Sequence, residues 1–93
     1  MRSRRTQHRD GNEPAIVQAL EACGFVVERL PGGGGVPDLL ASRAGRWHLA
    51  EVKNPAGRNR TEQTQRAFQA RHLAPVVLLR TADDVQAFAG SVP

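Results

Sequence analysis

The sequence predicts an α/β (α+β) fold, a mixed central sheet flanked by helices. Three observations carry that prediction: the apolar period switches between helical and extended along the chain, Gly and Pro punctuate each switch, and the elements fall in the order α-β-β-β-α-β-α without an internal repeat. The 93 residues amount to one domain. Its expected extent is residues 12–93, after a basic arm at residues 1–11 that has no apolar periodicity and is expected to be mobile.

The first helix is expected from Glu13 to Cys23. Asn12 can cap it, Pro14 suits its first turn, and Ile16, Ala19, Leu20 and Cys23 recur at helical spacing. Gly24 supplies the left-handed residue that ends it. Phe25 to Leu30 is short and rich in β-branched and aromatic residues, which reads as a strand, broken by Pro31 and the run Gly32 to Gly35. Val36 to Ser42 and Arg46 to Lys53 follow as two strands of a hairpin across Arg43-Ala44-Gly45. In the third strand Trp47, Leu49, Glu51 and Lys53 share one face, and His48, Ala50 and Val52 the other. A second helix is expected from Thr61 to His72, with Asn59 and Glu62 spaced as a capping box and Gln65 on the same face as Phe68. Val76 to Arg80 reads as a strand buried on both faces. Thr81 and Asp84 cap a last short helix that carries Val85 and Phe88.

Composition narrows the function classes. Thirteen Lys+Arg against nine Asp+Glu give a net charge of +4, and Lys53 is the only lysine among the bases. Arg2, Arg4, Arg5 and Arg9 crowd the start, while Arg58, Arg60, Arg66 and Arg71 cluster after the middle. Arginine favours phosphate, so two such patches suit a polyanion, most simply nucleic acid; a solvated, solubilising surface is the alternative. The apolar run Ala74 to Leu79 is far short of the ~20 residues of a membrane span, and no signal peptide is read at the start. A lone Cys23 offers no intrachain disulfide and no cysteine zinc site, which fits a cytoplasmic setting. His8, His48 and His72 lack metal-ligand spacing. Trp47 is expected to pack, Cys23 to be buried on the first helix, and the glycine run to be a close-approach loop beside Asp38.

The acids on apolar strands are the sharper signal. Asp38 sits between Pro37 and Leu39, and Glu51 between Ala50 and Val52; buried bare carboxylates are costly and need a reason. Paired across a hairpin, Asp38 and Glu51 meet near the end of the sheet, with Lys53 on the face of Glu51. That set of hard oxygens suits Mg²⁺ or Mn²⁺, which binds through one or two carboxylates and keeps positions for phosphate oxygens and water. The alternative is an exposed Glu51–Lys53 ion pair worth under about 1 kcal/mol, with Asp38 a turn residue.

Pro37-Asp38, twelve residues and then Glu51-Val52-Lys53 resembles the PD-(D/E)XK nuclease signature. Gly35-Val36-Pro37-Asp38-Leu39, Glu51-Val52-Lys53 and Gln65-Arg66-Ala67-Phe68 look like the virus-type replication-repair nuclease (VRR-NUC) domain in its stand-alone, minimal form, over roughly Glu13 to Val85. The resemblance implies a restriction-endonuclease-like αβββαβ core. It also implies that Asp38 and Glu51 are metal ligands, with the backbone carbonyl of Val52 as a third, and that Lys53 is the catalytic lysine. Glu13 would assist metal or water binding, and Gln65 would lie near the active site. Arg60-Thr61-Glu62 departs from the usual Leu-Ser/Thr lead-in to that helix, which makes Gln63 the competing register; Phe68 favours Gln65.

The function so implied is a metal-dependent DNA endonuclease using Mg²⁺ or Mn²⁺, a Holliday junction resolvase-like homodimer acting on branched or four-way DNA. Arg58, Arg60 and Arg66 would contact the DNA backbone, together with Arg2, Arg4 and Arg5 of the arm. Two other readings stand beside it: a catalytically inactive nucleic-acid-binding module that retains the fold, and a structural or interaction subunit with a merely solubilising basic face.

Overall fold

The computed structural model describes residues 11–55 and 62–93 as three helices and one four-stranded sheet. The elements are α1 (Glu13–Ala22), β1 (Val26–Arg29), β2 (Leu39–Arg43), β3 (Arg46–Val52), α2 (Glu62–His72), β4 (Val76–Leu79) and α3 (Ala82–Ser91). The sheet order is β1-β2-β3-β4, with β1, β2 and β3 antiparallel in turn and β4 parallel to β3. A parallel neighbour needs a crossover, and α2 supplies it. The fold is thus a small α+β domain compatible with an αβββαβ core, followed by α3.

Local chemistry explains most boundaries. Gly24, at φ +92°, closes α1 in a Schellman arrangement: its N–H donates to the Glu21 carbonyl and the Phe25 N–H to the Leu20 carbonyl. Ala44 and Gly45 both have positive φ, as a two-residue hairpin turn requires, and they set Arg43 opposite Arg46. The Thr81 hydroxyl accepts from the Asp84 N–H while the Asp84 carboxylate accepts from the Thr81 N–H, a complete capping box on α3.

The core lies between one face of the sheet and helices α1 and α3. Leu39, Ala41, Ala50, Val52 and Leu79 from the sheet meet Ile16, Leu20, Val85 and Phe88 from the helices. At its edge Phe25 stacks on Phe88 at 5.2 Å, and His48 sets its ring edgewise to both. Arg43 lies over Phe25, 4.3 Å from the ring centroid, and donates to the carbonyls of Cys23, Ala89, Val92 and Pro93. That single guanidinium fastens the end of α3 to the sheet.

Several expectations need correction. Asn12 makes no side-chain cap: its Nδ2 is held by the carbonyls of Lys53 and Arg80, just past β3 and β4, and its Oδ1 accepts from no helix N–H. The strand expected from Val36 begins only at Leu39; Pro37 has no N–H for a ladder, and Asp38 is a bend. β4 is buried on one face only: Leu79 is fully buried, Leu78 is 44% exposed, because α1 and α3 both cover the same side. For the same reason Trp47 is exposed rather than packed; Cys23, at the C-terminal cap of α1, is only half-buried. The Asn59–Glu62 capping box and the basic arm, apart from Gly11, lie outside the described residues.

Candidate functional site

The site forms where the antiparallel pair β2–β3 runs out. Continuing the register one step past Leu39 and Ala50 sets Asp38 opposite Glu51. There the ladder has stopped, and the Asp38 Oδ2 accepts from the Val52 N–H at 2.8 Å, replacing the backbone partner that β2 no longer provides. On its other side the Asp38 carbonyl accepts from the Leu30 N–H, which carries the loop from β1 back to the sheet.

Glu51 and Lys53 emerge from β3 on the face away from the aliphatic core, yet both are buried, at 3% and 5% exposure. This removes the exposed-ion-pair alternative. Gln65 joins them from α2: its Oε1 accepts from Lys53 Nζ at 2.7 Å and its Nε2 donates to Glu51 Oε2 at 2.8 Å. A primary amide can accept from an ammonium through its oxygen and donate to a carboxylate through its nitrogen at once, so Gln65 fixes both partners. Gln65 is buried and turned toward Glu51 and Lys53, while Gln63 is exposed.

Gly35 explains how α2 comes so close. Its φ is +81°, and a Cβ at this position would run into the backbone carbonyl of Thr64, with the carbonyl carbon at 2.6 Å and the Gln65 nitrogen at 3.1 Å. The close approach expected of the glycine run is therefore made to the protein's own helix backbone. Gly33 and Gly34 have open space beside them.

A second polar cluster lies beside the first. Glu13, in the first turn of α1, is buried at 2% exposure, and its Oε2 accepts from Arg29 Nε at 3.0 Å. Asn12 donates through Nδ2 to the carbonyls of Lys53 and Arg80, which holds the start of α1 against the ends of β3 and β4. Its Oδ1 is buried without a partner among the described residues. Arg29 and the bridging role of Asn12 were missed in the sequence; the register Arg29 opposite Leu39, one step from Asp38, is the signal that locates Arg29.

The expected site residues thus fall into two groups. Asp38, Glu51, Lys53 and Gln65 come together at the end of β3, and Glu13 pairs with Arg29. Among the described residues no group of three or more His, Cys, Asp or Glu could hold a metal. Asp38, Glu51 and the Val52 carbonyl are a smaller set, two buried carboxylates and one neutral oxygen, and this hard-oxygen chemistry fits Mg²⁺ or Mn²⁺ with water completing the shell. Arg66 is exposed on α2, whereas Arg2, Arg4, Arg5, Arg58 and Arg60 lie outside the described residues. His48 belongs to the aromatic cluster, where burial first, then Arg43 and Arg46, lower its pKa from 6.5. Among the described residues no helix is long and apolar enough to cross a membrane. No protein-family model matches the chain, and no curated protein matches it.

Proposed function

We propose that the chain is a metal-dependent DNA endonuclease of the PD-(D/E)XK type, resembling the VRR-NUC domain, that hydrolyses phosphodiester bonds with Mg²⁺ or Mn²⁺. One observation carries this reading: Asp38, Glu51 and Lys53 are all buried at the end of the sheet, with Lys53 and Glu51 bridged by one glutamine. A chain does not bury two acids and an ammonium for stability alone, since an apolar set of similar volume would serve at least as well. The protein's +4 charge and its arginines supply attraction for a polyanion around that acidic centre.

Asp38 and Glu51, with the Val52 carbonyl, would hold the divalent cation, which when bound supplies charge neutralisation at a phosphodiester and a more acidic water. Lys53 presents an ammonium against negative charge developing on the phosphate. Gln65 sets the direction of that ammonium and of the Glu51 carboxylate. Arg66, with Arg58, Arg60 and the arginines of the arm, would follow the DNA backbone. We further propose a cytoplasmic homodimer with a preference for branched or four-way junctions. Its support is the sheet face opposite α1 and α3, where Val26, Trp47 and Leu78 are exposed, and the fit of a two-fold dimer to a junction cut twice.

The test is cleavage of labelled four-way, flap and linear DNA with Mg²⁺ or Mn²⁺. Metal-dependent cleavage lost in Asp38→Ala and Glu51→Ala is expected. Cleavage that persists in EDTA or in both variants would refute the mechanism, and salt-sensitive binding without turnover would point to the inactive binding module.

A further inference from the structure

We infer that Glu13 and Arg29 form a phosphate grip at the β1 edge of the site, in which Arg29 contacts the DNA backbone and Glu13 is the positioning residue that holds its guanidinium in place. This inference rests on the proposed reading of DNA as the partner, and it gives Glu13 a task that does not pass through a metal.

Placement comes first. Arg29 ends β1 opposite Leu39, one residue from Asp38, and the N–H of Leu30 donates to the Asp38 carbonyl at 2.8 Å. Neighbouring strands lie about 4.8 Å apart, so a phosphodiester lying along Asp38 passes within reach of an arginine on the adjacent strand. Arg29 and Leu39 share the sheet face that packs against α1, while Arg66 is exposed on α2, next to the Gln65 that meets Glu51 on the opposite face. An exposed arginine thus stands on each side of the Asp38 and Glu51 carboxylates, and a backbone crossing the end of the sheet meets both.

The division of burial within the pair gives its use. The Glu13 side chain is 3% exposed and that of Arg29 52%, and they meet through Oε2 and Nε at 3.0 Å. A buried acid paired with a half-exposed arginine gains little stability, since an apolar residue in the first turn of α1 would serve at least as well. What the acid does is fix the arginine. A mobile guanidinium loses rotamer freedom when it seizes a phosphate; one already held at Nε has lost much of it in the free protein. Contact through Nε leaves the terminal nitrogens at the far end of the group, where their paired N–H donors match two phosphate oxygens. Further contacts of Glu13 anchor the carboxylate without releasing Arg29. The pair is neutral as a unit, so it sets the position of the backbone more than it adds net attraction.

The experiment measures binding of labelled linear and four-way DNA to the full chain by fluorescence anisotropy in EDTA, where cleavage and metal play no part, over a series of salt concentrations, with circular dichroism to verify folding of each variant. Glu13→Ala and Glu13→Gln make the same change in charge. Glu13→Ala removes the acceptor and should weaken binding by about threefold or more although the protein becomes more positive. Glu13→Gln keeps an oxygen for Nε and should recover binding to within about twofold of wild type. Charge attraction alone predicts the opposite for Glu13→Ala, a tighter complex. The double variant Glu13→Gln with Arg29→Gln leaves no unpaired buried acid; it should bind about tenfold more weakly, with the slope of log affinity against log salt reduced by about one. If Glu13→Ala does not fold, the double variant decides alone. Glu13→Ala binding as tightly as wild type or more so, Glu13→Gln as weak as Glu13→Ala, or a double variant within about twofold of wild type, each in folded protein, would overturn the inference while leaving DNA binding intact. Absence of salt-sensitive DNA binding in wild type would instead overturn the reading of DNA as the partner and this inference with it.

Discussion

Replacing Gly35 by Ala tests whether the loop before Asp38 sets the position of Gln65. Gly34 is the matched control, because both glycines have positive φ, +63° and +81°, but only Gly35 has the helix backbone beside it. An alanine in the left-handed region costs about 1–2 kcal/mol at either position. At Gly35 the new methyl also meets the Thr64 carbonyl and the Gln65 nitrogen, backbone atoms that cannot rotate away; overpacking of this kind adds about 1–3 kcal/mol. Gly34→Ala should therefore lose about 1–2 kcal/mol and Gly35→Ala about 2–5 kcal/mol. For a domain of this length 1 kcal/mol lowers Tm by about 4–8 °C, so the two variants are separable by thermal melting. A second assay is local: the side-chain amide resonances of Gln65, held between Lys53 and Glu51, should move in Gly35→Ala and stay in place in Gly34→Ala. Equal melting losses in the two variants, or an unchanged Gln65 amide in Gly35→Ala, would refute the claim that this glycine admits the helix.

Three further predictions rest on other contacts. Gln65→Leu removes two buried hydrogen bonds to charged groups, each worth roughly 1.5–3 kcal/mol, so urea unfolding should show a loss of about 3 kcal/mol or more. Arg43→Met keeps the stem over Phe25 but deletes four bonds, three of them to neutral peptide carbonyls of Cys23, Ala89 and Val92; a loss of about 2–4 kcal/mol is expected, and the larger part should persist in high salt because those three acceptors carry no charge. His48 has a folded pKa below its unfolded value of 6.5, so its contribution is fully present above pH 6.5 and is lost as pH falls through 6.5 toward the folded pKa. His48→Phe should flatten the fall in stability below pH 6.5 in denaturation series, and an unchanged slope would contradict the assignment.

The order of elements was legible because the signals that set it are local. Gly24 ends α1 and Ala44-Gly45 turn the hairpin through their own φ angles, and Thr81 with Asp84 closes a box within one turn. Gln65 was legible too, since Phe68 fixes the helix face and the structure buries both. Where the sequence misleads, a distant group has taken over a residue with an ordinary local use. Asn12 reads as a helix cap, but the carbonyls of Lys53 and Arg80 claim its amide. Arg29 reads as the polar end of a strand until the β1–β2 register brings it beside α1 and Glu13. Trp47 reads as packing, yet only the distribution of helices over the two faces decides whether its side of the sheet is covered.

The bridge made by Asn12 also bears on the order in which the protein folds. Its amide closes contacts across 41 and 68 residues at once, and Arg43 reaches Pro93 across 50. Contacts of such separation carry the largest loop-closure cost, so they form after the hairpin β2–β3, whose strands are joined by two residues. The helix bearing Glu13 is synthesised first but cannot dock in its native place until Arg80 has been made. During translation, then, Asp38 and Glu51 meet early across the hairpin, and Glu13 reaches its native place beside them only in a later step.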